Sequence, residues 1–483
     1  MNGRKLIYAL VLVVSLIASG LMQNTLTRQR ETLGLTRTAV ISNAPPVLAF
    51  TTVALGGFRG LIANALWIRT TQLQEEGKYF EAVQLADWIT TLQPHFSQVW
   101  LYQAWNMAYN ISVKFPSLED RWLWVQRGIE LLRDQGLRYN PNQALMYREL
   151  GWFFQHKMGA NLDDAHWVYK TEWAAMMEEV IPGGRPNYEE LFKPSGPEAK
   201  ARVEKLVSRY KLEPAMMKRV DDTYGPLEWR LPETHAIYWG MMGLEHTAGQ
   251  DRMPLQRLCF QNMLTAFHRG KVITNRFAKR IEVVPNLLMV TNASRAYEDS
   301  IKAEPEQAEH IARAHRNFIK DAVYFLYTNN KQKEAEYWFR RVKDLYGFGP
   351  QVGITNATME EYALSRVQED VNETSRDRQT AILQGMISQS FYNLAMGDED
   401  QAEGLERMVQ RVHSNYAART DHKASIKRVE LPPIGELKRS VLLEMLRPDP
   451  EVSAEFQAAL RARLSLPADY GVPATNAPAL KQP

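Results

Sequence analysis

Glu75-Glu76-Gly77-Lys78-Tyr79-Phe80-Glu81-Ala82-Val83-Gln84-Leu85-Ala86-Asp87-Trp88-Ile89-Thr90-Thr91-Leu92-Gln93-Pro94 is the stretch that decides the fold. Val83, Ala86 and Ile89 recur at helical spacing, and Pro94 closes the run because its ring fits no helix interior. Upstream, Leu61, Leu66 and Leu73 give residues 62–76 a matching helical pattern. Two antiparallel helices pack closely only where small residues sit at their crossing and the turn residue tolerates an open backbone. Gly77 supplies that turn and Ala82 the small residue, so the segment reads as a helical hairpin.

The offsets of Gly77, Tyr79, Ala82 and Pro94 resemble the second half of a tetratricopeptide (TPR) repeat, a unit of about 34 residues. The resemblance implies an all-α chain, a TPR-like α-solenoid of antiparallel helical hairpins. A second unit starts in register: Trp100 stands 34 residues after Leu66, and the helix over 99–110 carries Trp100, Tyr102, Trp105 and Tyr109. A longer turn over 112–118 precedes its second helix, 122–137. The third unit opens after Asn140-Pro141, with Tyr147, Leu150 and Gly151 on its first helix and Ala165 on its second. The pattern returns over 322–346, with Asn330 replacing the turn Gly and Ala335 at the small position, and over 391–416, with Gly397 and Ala402. Nine of the 12 Trp lie between Trp67 and Trp173, where stacked hairpins would use them as packing.

Pro182, Gly183, Gly184, Pro186, Pro194 and Pro197 crowd a segment that no continuous helix crosses. The chain is therefore divided into an N-terminal anchor and spacer (1–44), TPR-like repeats (45–180), an irregular helical central region (181–300), C-terminal TPR-like repeats with a cap (301–465) and a Pro/Ala-rich tail expected to be disordered (466–483). In the centre, helices are expected over 198–210, 233–247 and 253–269. Around Val283, Val284, Leu287, Leu288 and Val290 a short strand or irregular segment competes with helix, and periodicity does not choose.

With 45% hydrophobic and 23% charged residues over 483 positions, the chain has the makings of a large core. A net charge of +3 without a dense Lys/Arg cluster argues against nucleic acid as a partner. The single Cys259 leaves no internal disulfide. After Met-Asn-Gly-Arg-Lys, residues 6–22 form an uncharged apolar run long enough to cross a bilayer as one helix. It reads as a signal anchor or a signal peptide: Ala18-Ser19-Gly20 offers a small-x-small cleavage site, but the run is long for a cleaved signal and favours an uncleaved single-pass anchor, N-terminus cytoplasmic, holding the bulk of the chain on the exported side, periplasmic or extracellular.

No Gly-x-x-x-x-Gly-Lys, Gly-x-Ser-x-Gly or His-Glu-x-x-His occurs. No catalytic, cofactor-binding or metal-binding residue is assigned, and the chain is read as a non-enzyme. His310 and His315, five residues apart, lie about 140° apart around a helix and read as solvated positions. What remains is surface. Transferring the TPR groove positions to these units implies a site for peptide segments or helices of protein partners at Asn64, Gln74, Gln98, Tyr109, Arg148, Trp152, Gln155 and His156, beside Trp67 and Trp105. The expected function is a membrane-anchored scaffold that gathers proteins in the cell envelope. The competing reading is an enzyme whose site lies within 182–293, which a deep pocket of convergent His, Asp, Glu or Arg would favour.

Overall fold

A computed structural model describes residues 58–275, 280–356, 358–369, 376–420, 431–447 and 453–470, with isolated positions between 14 and 29. The chain is all-α and divides into two compact units, residues 1–96 and 97–483.

In the first unit α1 (Phe58–Glu75) packs antiparallel on α2 (Tyr79–Leu92). Gly77 turns between them at φ +73°, a left-handed conformation that a Cβ penalises. Lys78 N–H closes back on Leu73 O at 2.8 Å, and Ala82 N–H donates to Lys78 O at 3.1 Å to begin α2. Ala82, Ala86 and Ile89 are fully buried, and Ala63, Thr70 and Leu73 oppose them from α1. Leu61, expected on that face, is 66% exposed, because it lies about 200° around the helix from Ala63.

The second unit opens with α3 (Ser97–Trp105), α4 (Leu118–Glu130), α5 (Ala144–Trp152) and α6 (His166–Glu178). Three of these helices run on in π geometry, α3 through Asn106–Ile111, α4 through Leu131–Gly136 and α5 through Phe153–Gly159. Ser112 N–H bonds Met107 O and Leu137 N–H bonds Leu132 O, each five residues back. Then come α7 (Tyr188–Phe192), α8 (Gly196–Ser208), α9 (Pro214–Tyr224), α10 (Pro232–Glu245) and α11 (Arg252–Arg269). A two-stranded antiparallel hairpin follows, β1 (Lys271–Asn275) and β2 (Arg280–Val284), with Lys271 opposite Val284. So the apolar run in doubt is strand through Val284 and helix from Val290. The chain ends with α12 (Val290–Ala303), α13 (Ala308–Thr328), α14 (Gln332–Tyr346), α15 (Met359–Glu369), α16 (Arg376–Met396), α17 (Glu399–Thr420), α18 (Ile434–Met445) and α19 (Ala454–Arg463).

Neighbouring helices pair as hairpins: α10 with α11, α12 with α13, α13 with α14, α16 with α17. The α13–α14 and α16–α17 turns repeat the geometry at Gly77. Asn330 (φ +60°) and Gly397 (φ +86°) are left-handed, and Lys331 N–H and Asp398 N–H each bond the carbonyl five residues back, Leu326 and Asn393, at 2.9 Å. Ala335 and Ala402, five residues past the turn, are buried as Ala82 is. One apolar core runs without a break from Trp100 to Leu460.

The segment after α9, from Gly225 to Trp229, is fastened into that core, together with Tyr188 of the Pro- and Gly-rich stretch. Asp221 Oδ1 accepts from Leu227 N–H at 2.9 Å, and Oδ2 accepts from Trp229 Nε1 at 3.2 Å and from Tyr188 OH. Asn286 Nδ2 donates to Pro226 O at 2.8 Å, and Asn292 Nδ2 to Gly225 O at 3.0 Å. α9 thereby lies against α12 while α10 packs on α5.

Among the described residues no helix is long and apolar enough to cross a membrane. Apart from isolated positions, the expected anchor at 6–22 and its spacer lie outside the described residues, as does the tail beyond 470.

Candidate partner-binding surface

The site is built where two π segments lie side by side. Tyr109 is the fourth residue of Asn106–Ile111 and His156 the fourth of Phe153–Gly159. Although 47 residues apart, Tyr109 OH and His156 Nδ1 are hydrogen-bonded at 3.2 Å. Trp105 stacks on Tyr109 at 5.5 Å between ring centres, and Trp152 stacks on His156 at 4.6 Å. The four rings form a shelf from Trp105, 39% exposed, to the half-buried Trp152. Burial, and then the nearby Lys157 cation, hold His156 below its usual pKa, so it is a neutral ring at physiological pH.

Lys157 braces the shelf from beneath. Its side chain is 3% exposed and paired with Asp163, and Nζ lies 5.0 Å from the Tyr109 ring centre. Asp163 also accepts from Ala165 N–H at 2.9 Å, so one carboxylate neutralises the buried lysine and shapes the turn into α6.

Beyond the shelf, Gln155 Nε2 donates to Gln261 Oε1 at 3.1 Å. Gln261 lines a cleft of about 520 Å³ between α11, α12 and α13, walled by Phe260, Leu264, Tyr297 and Ile311 and rimmed by Arg257 and His310. Phe260 stacks on Tyr297 at 5.0 Å. A ring shelf and a mixed apolar and polar cleft are thus joined by two side-chain amides.

Of the expected groove residues, Tyr109, Trp152, Gln155 and His156 come together here. Arg148 sits one turn before Trp152, its guanidinium 3.1 Å from Glu149, and faces a smaller cleft shared with Asp251 and Pro254. Gln98 is exposed at the start of α3, while Asn64, exposed, and Gln74, half-buried, belong to α1 of the first unit. Trp67 lies 6.0 Å from Phe96 in that unit.

The histidine readings need correction. His310 is exposed, but His315 is fully buried, with Nε2 2.8 Å from Ser294 Oγ and Nδ1 2.7 Å from Tyr346 OH. Two positions about 140° apart on one helix fall on different sides of it, one in solvent and the other in the core. His235 is buried as well, its Nε2 donating to Trp229 O at 2.8 Å between Phe154 and Trp173. The packing role expected of the Trp-rich region holds for Trp100, Trp122 and Trp173, whereas Trp88, Trp105 and Trp167 are exposed.

The cleft residues of α11 escape a search for repeat offsets because α11 carries none of the turn signposts. Met253, Gln256, Arg257, Phe260 and Leu264 do recur at three- and four-residue spacing, the signal that would have found this face. Comparison with family models, curated proteins and solved structures gives no match.

Proposed function

We propose that the protein is a TPR-like scaffold of the cell envelope, membrane-anchored through residues 6–22, that holds a helical or extended segment of a partner protein along the Trp105–Tyr109–His156–Trp152 shelf and the adjoining cleft. The observation that carries this reading is the continuity from ring shelf to cleft through Gln155 and Gln261. Exposed Trp on a rigid helical surface provides contact area at low entropic cost, and amides beside it pair with a partner backbone. Anchorage near a bilayer would raise the local concentration of membrane-bound partners.

Trp105, Gln155 and Gln261 are suitable for the test because they are partly or fully exposed, whereas Tyr109 is tied to Phe153 and Lys157. Replacing all three by Ala is expected to abolish photo-crosslinking of a membrane partner to a benzoyl-phenylalanine placed at Leu264, with the melting temperature unchanged. Undiminished crosslinking in the triple variant would remove the shelf from the binding site.

A further inference from the structure

Another cavity, of about 340 Å³, opens between α6, α10 and α11. Trp167, Leu231, Pro232 and Val283 give it apolar walls, and Lys170, His166, Glu233 and Arg269 its polar ones. Lys170 Nζ donates to Asn161 Oδ1 at 2.7 Å and to His166 Nδ1, one helical turn back, at 3.0 Å. The one buried carboxylate in the lining, Glu233, is taken by Arg269 at 2.6 Å. Lys170 is left without an ion-pair partner among the described residues, unlike Lys157 with its Asp163. A lysine used only to support the fold gains from a counter-ion, whereas one desolvated beside a cation is a primed nucleophile.

We propose that Lys170 is a nucleophile that condenses with a small aldehyde or ketone whose apolar body rests against Trp167 and Leu231. The neutral amine adds through its lone pair to the carbonyl carbon. The two protons shed by nitrogen, one on addition and one on elimination, pass in turn to His166 Nδ1 and from there to the former carbonyl oxygen, which leaves as water. The carbon–oxygen double bond and the two N–H bonds of the neutral amine are thus exchanged for a carbon–nitrogen double bond and one water, with no oxidant or reductant required. Arg269 is the cation nearest to hand for polarising the carbonyl oxygen.

The electrostatic setting agrees. Burial, and then the Arg269 cation, push the Lys170 ammonium down to about 8 against the opposing pull of Glu233. Burial, and then the Lys170 cation, hold His166 below its usual value, and the 3.0 Å contact from Lys170 Nζ makes Nδ1 the accepting nitrogen of its ring. Glu233 thus faces the amine from α10, Arg269 from α11 and His166 from α6, while β2 contributes the apolar Val283.

The test treats the full chain with benzaldehyde and sodium cyanoborohydride near pH 7.5, then reads benzylated lysines by peptide mass spectrometry. Lys170 is expected to react at least about ten-fold faster than the median exposed lysine, since an amine titrating near 8 has a far larger neutral fraction than one near 10.4, and its rate should reach half-maximum near pH 8. His166→Gln should slow Lys170 several-fold and leave the other lysines unchanged. Labelling of Lys170 no faster than exposed lysines in the unsubstituted chain, or a rate still climbing above pH 10, overturns the proposal. An unchanged Lys170 rate in H166Q overturns the proton path through His166.

Discussion

Asn330 explains why a position that asks for glycine elsewhere holds a larger residue. Gly77 and Gly397 are left-handed with no side chain, whereas Asn330 adopts φ +60° and also uses its amide, Nδ2 donating to Glu403 at 2.9 Å and Oδ1 accepting from Arg407. Asn tolerates the left-handed region better than other residues with a Cβ. Asn330→Ala loses both conformation and link and should cost about 1–2 kcal/mol in denaturant titration. Asn330→Gly loses only the link and should cost less. Equal costs for the two would mean that the turn conformation contributes nothing.

The two buried histidines should contribute to loss of stability in acid. Burial pushes both His235 and His315 down to about 4, against roughly 6.5 for an unfolded chain. Between these values the unfolded state binds more protons, so their contribution is complete above pH 6.5 and is lost as the pH falls toward 4. Between pH 7 and 5 the loss should be on the order of 2 kcal/mol per histidine. His315→Gln keeps a hydrogen-bonding side chain without the titration, so its stability should fall less steeply over that interval. An unaltered pH slope would show that His315 does not titrate on unfolding.

The helical hairpins also place one glycine where no other residue fits. α17 crosses the end of α13 so closely that a Cβ on Gly404 would run into the Thr328 carbonyl oxygen. Gly404→Ala should therefore destabilise by about 1–3 kcal/mol through forced separation of the two backbones. Gly385→Ala, in α16 with nothing within 4 Å of the added carbon, should be neutral or stabilising by helix propensity. Thermal melts of the pair check this, and equal shifts would contradict the close crossing. The hairpins themselves were legible because Gly77, Asn330 and Gly397 each stand five residues before a buried Ala, a local rule needing only neighbouring sequence. The π segments were not. An inserted residue turns everything beyond it by about 100°, and a 3.6-residue template applied along α5 has no term for that. Tyr109, Trp152, Gln155 and His156 come together despite this, because all lie within or beside the two π segments that register together. Gln261 and the cleft, carried on a helix without turn signposts, were missed. The pocket of Lys170 draws on residues from Asn161 to Val283, and no spacing rule connects side chains that only packing brings together.

The central region shows the same limit over longer distances. Its prolines and glycines read as a boundary, yet Trp229 N–H bonds Gly184 O at 2.9 Å and the apolar core continues through it. Hydrogen bonds join Arg185 to Asn286 across 101 residues and Asn292 to Gly225 across 67. A row of hairpins that touch only their neighbours loosens one unit at a time, each end fraying independently of the middle. Here the knot at Asp221, Asn286 and Asn292 lashes α9 to α12 around the intervening hairpin. None of those helices is free to peel away alone. The middle of the chain is therefore expected to melt as a single cooperative block.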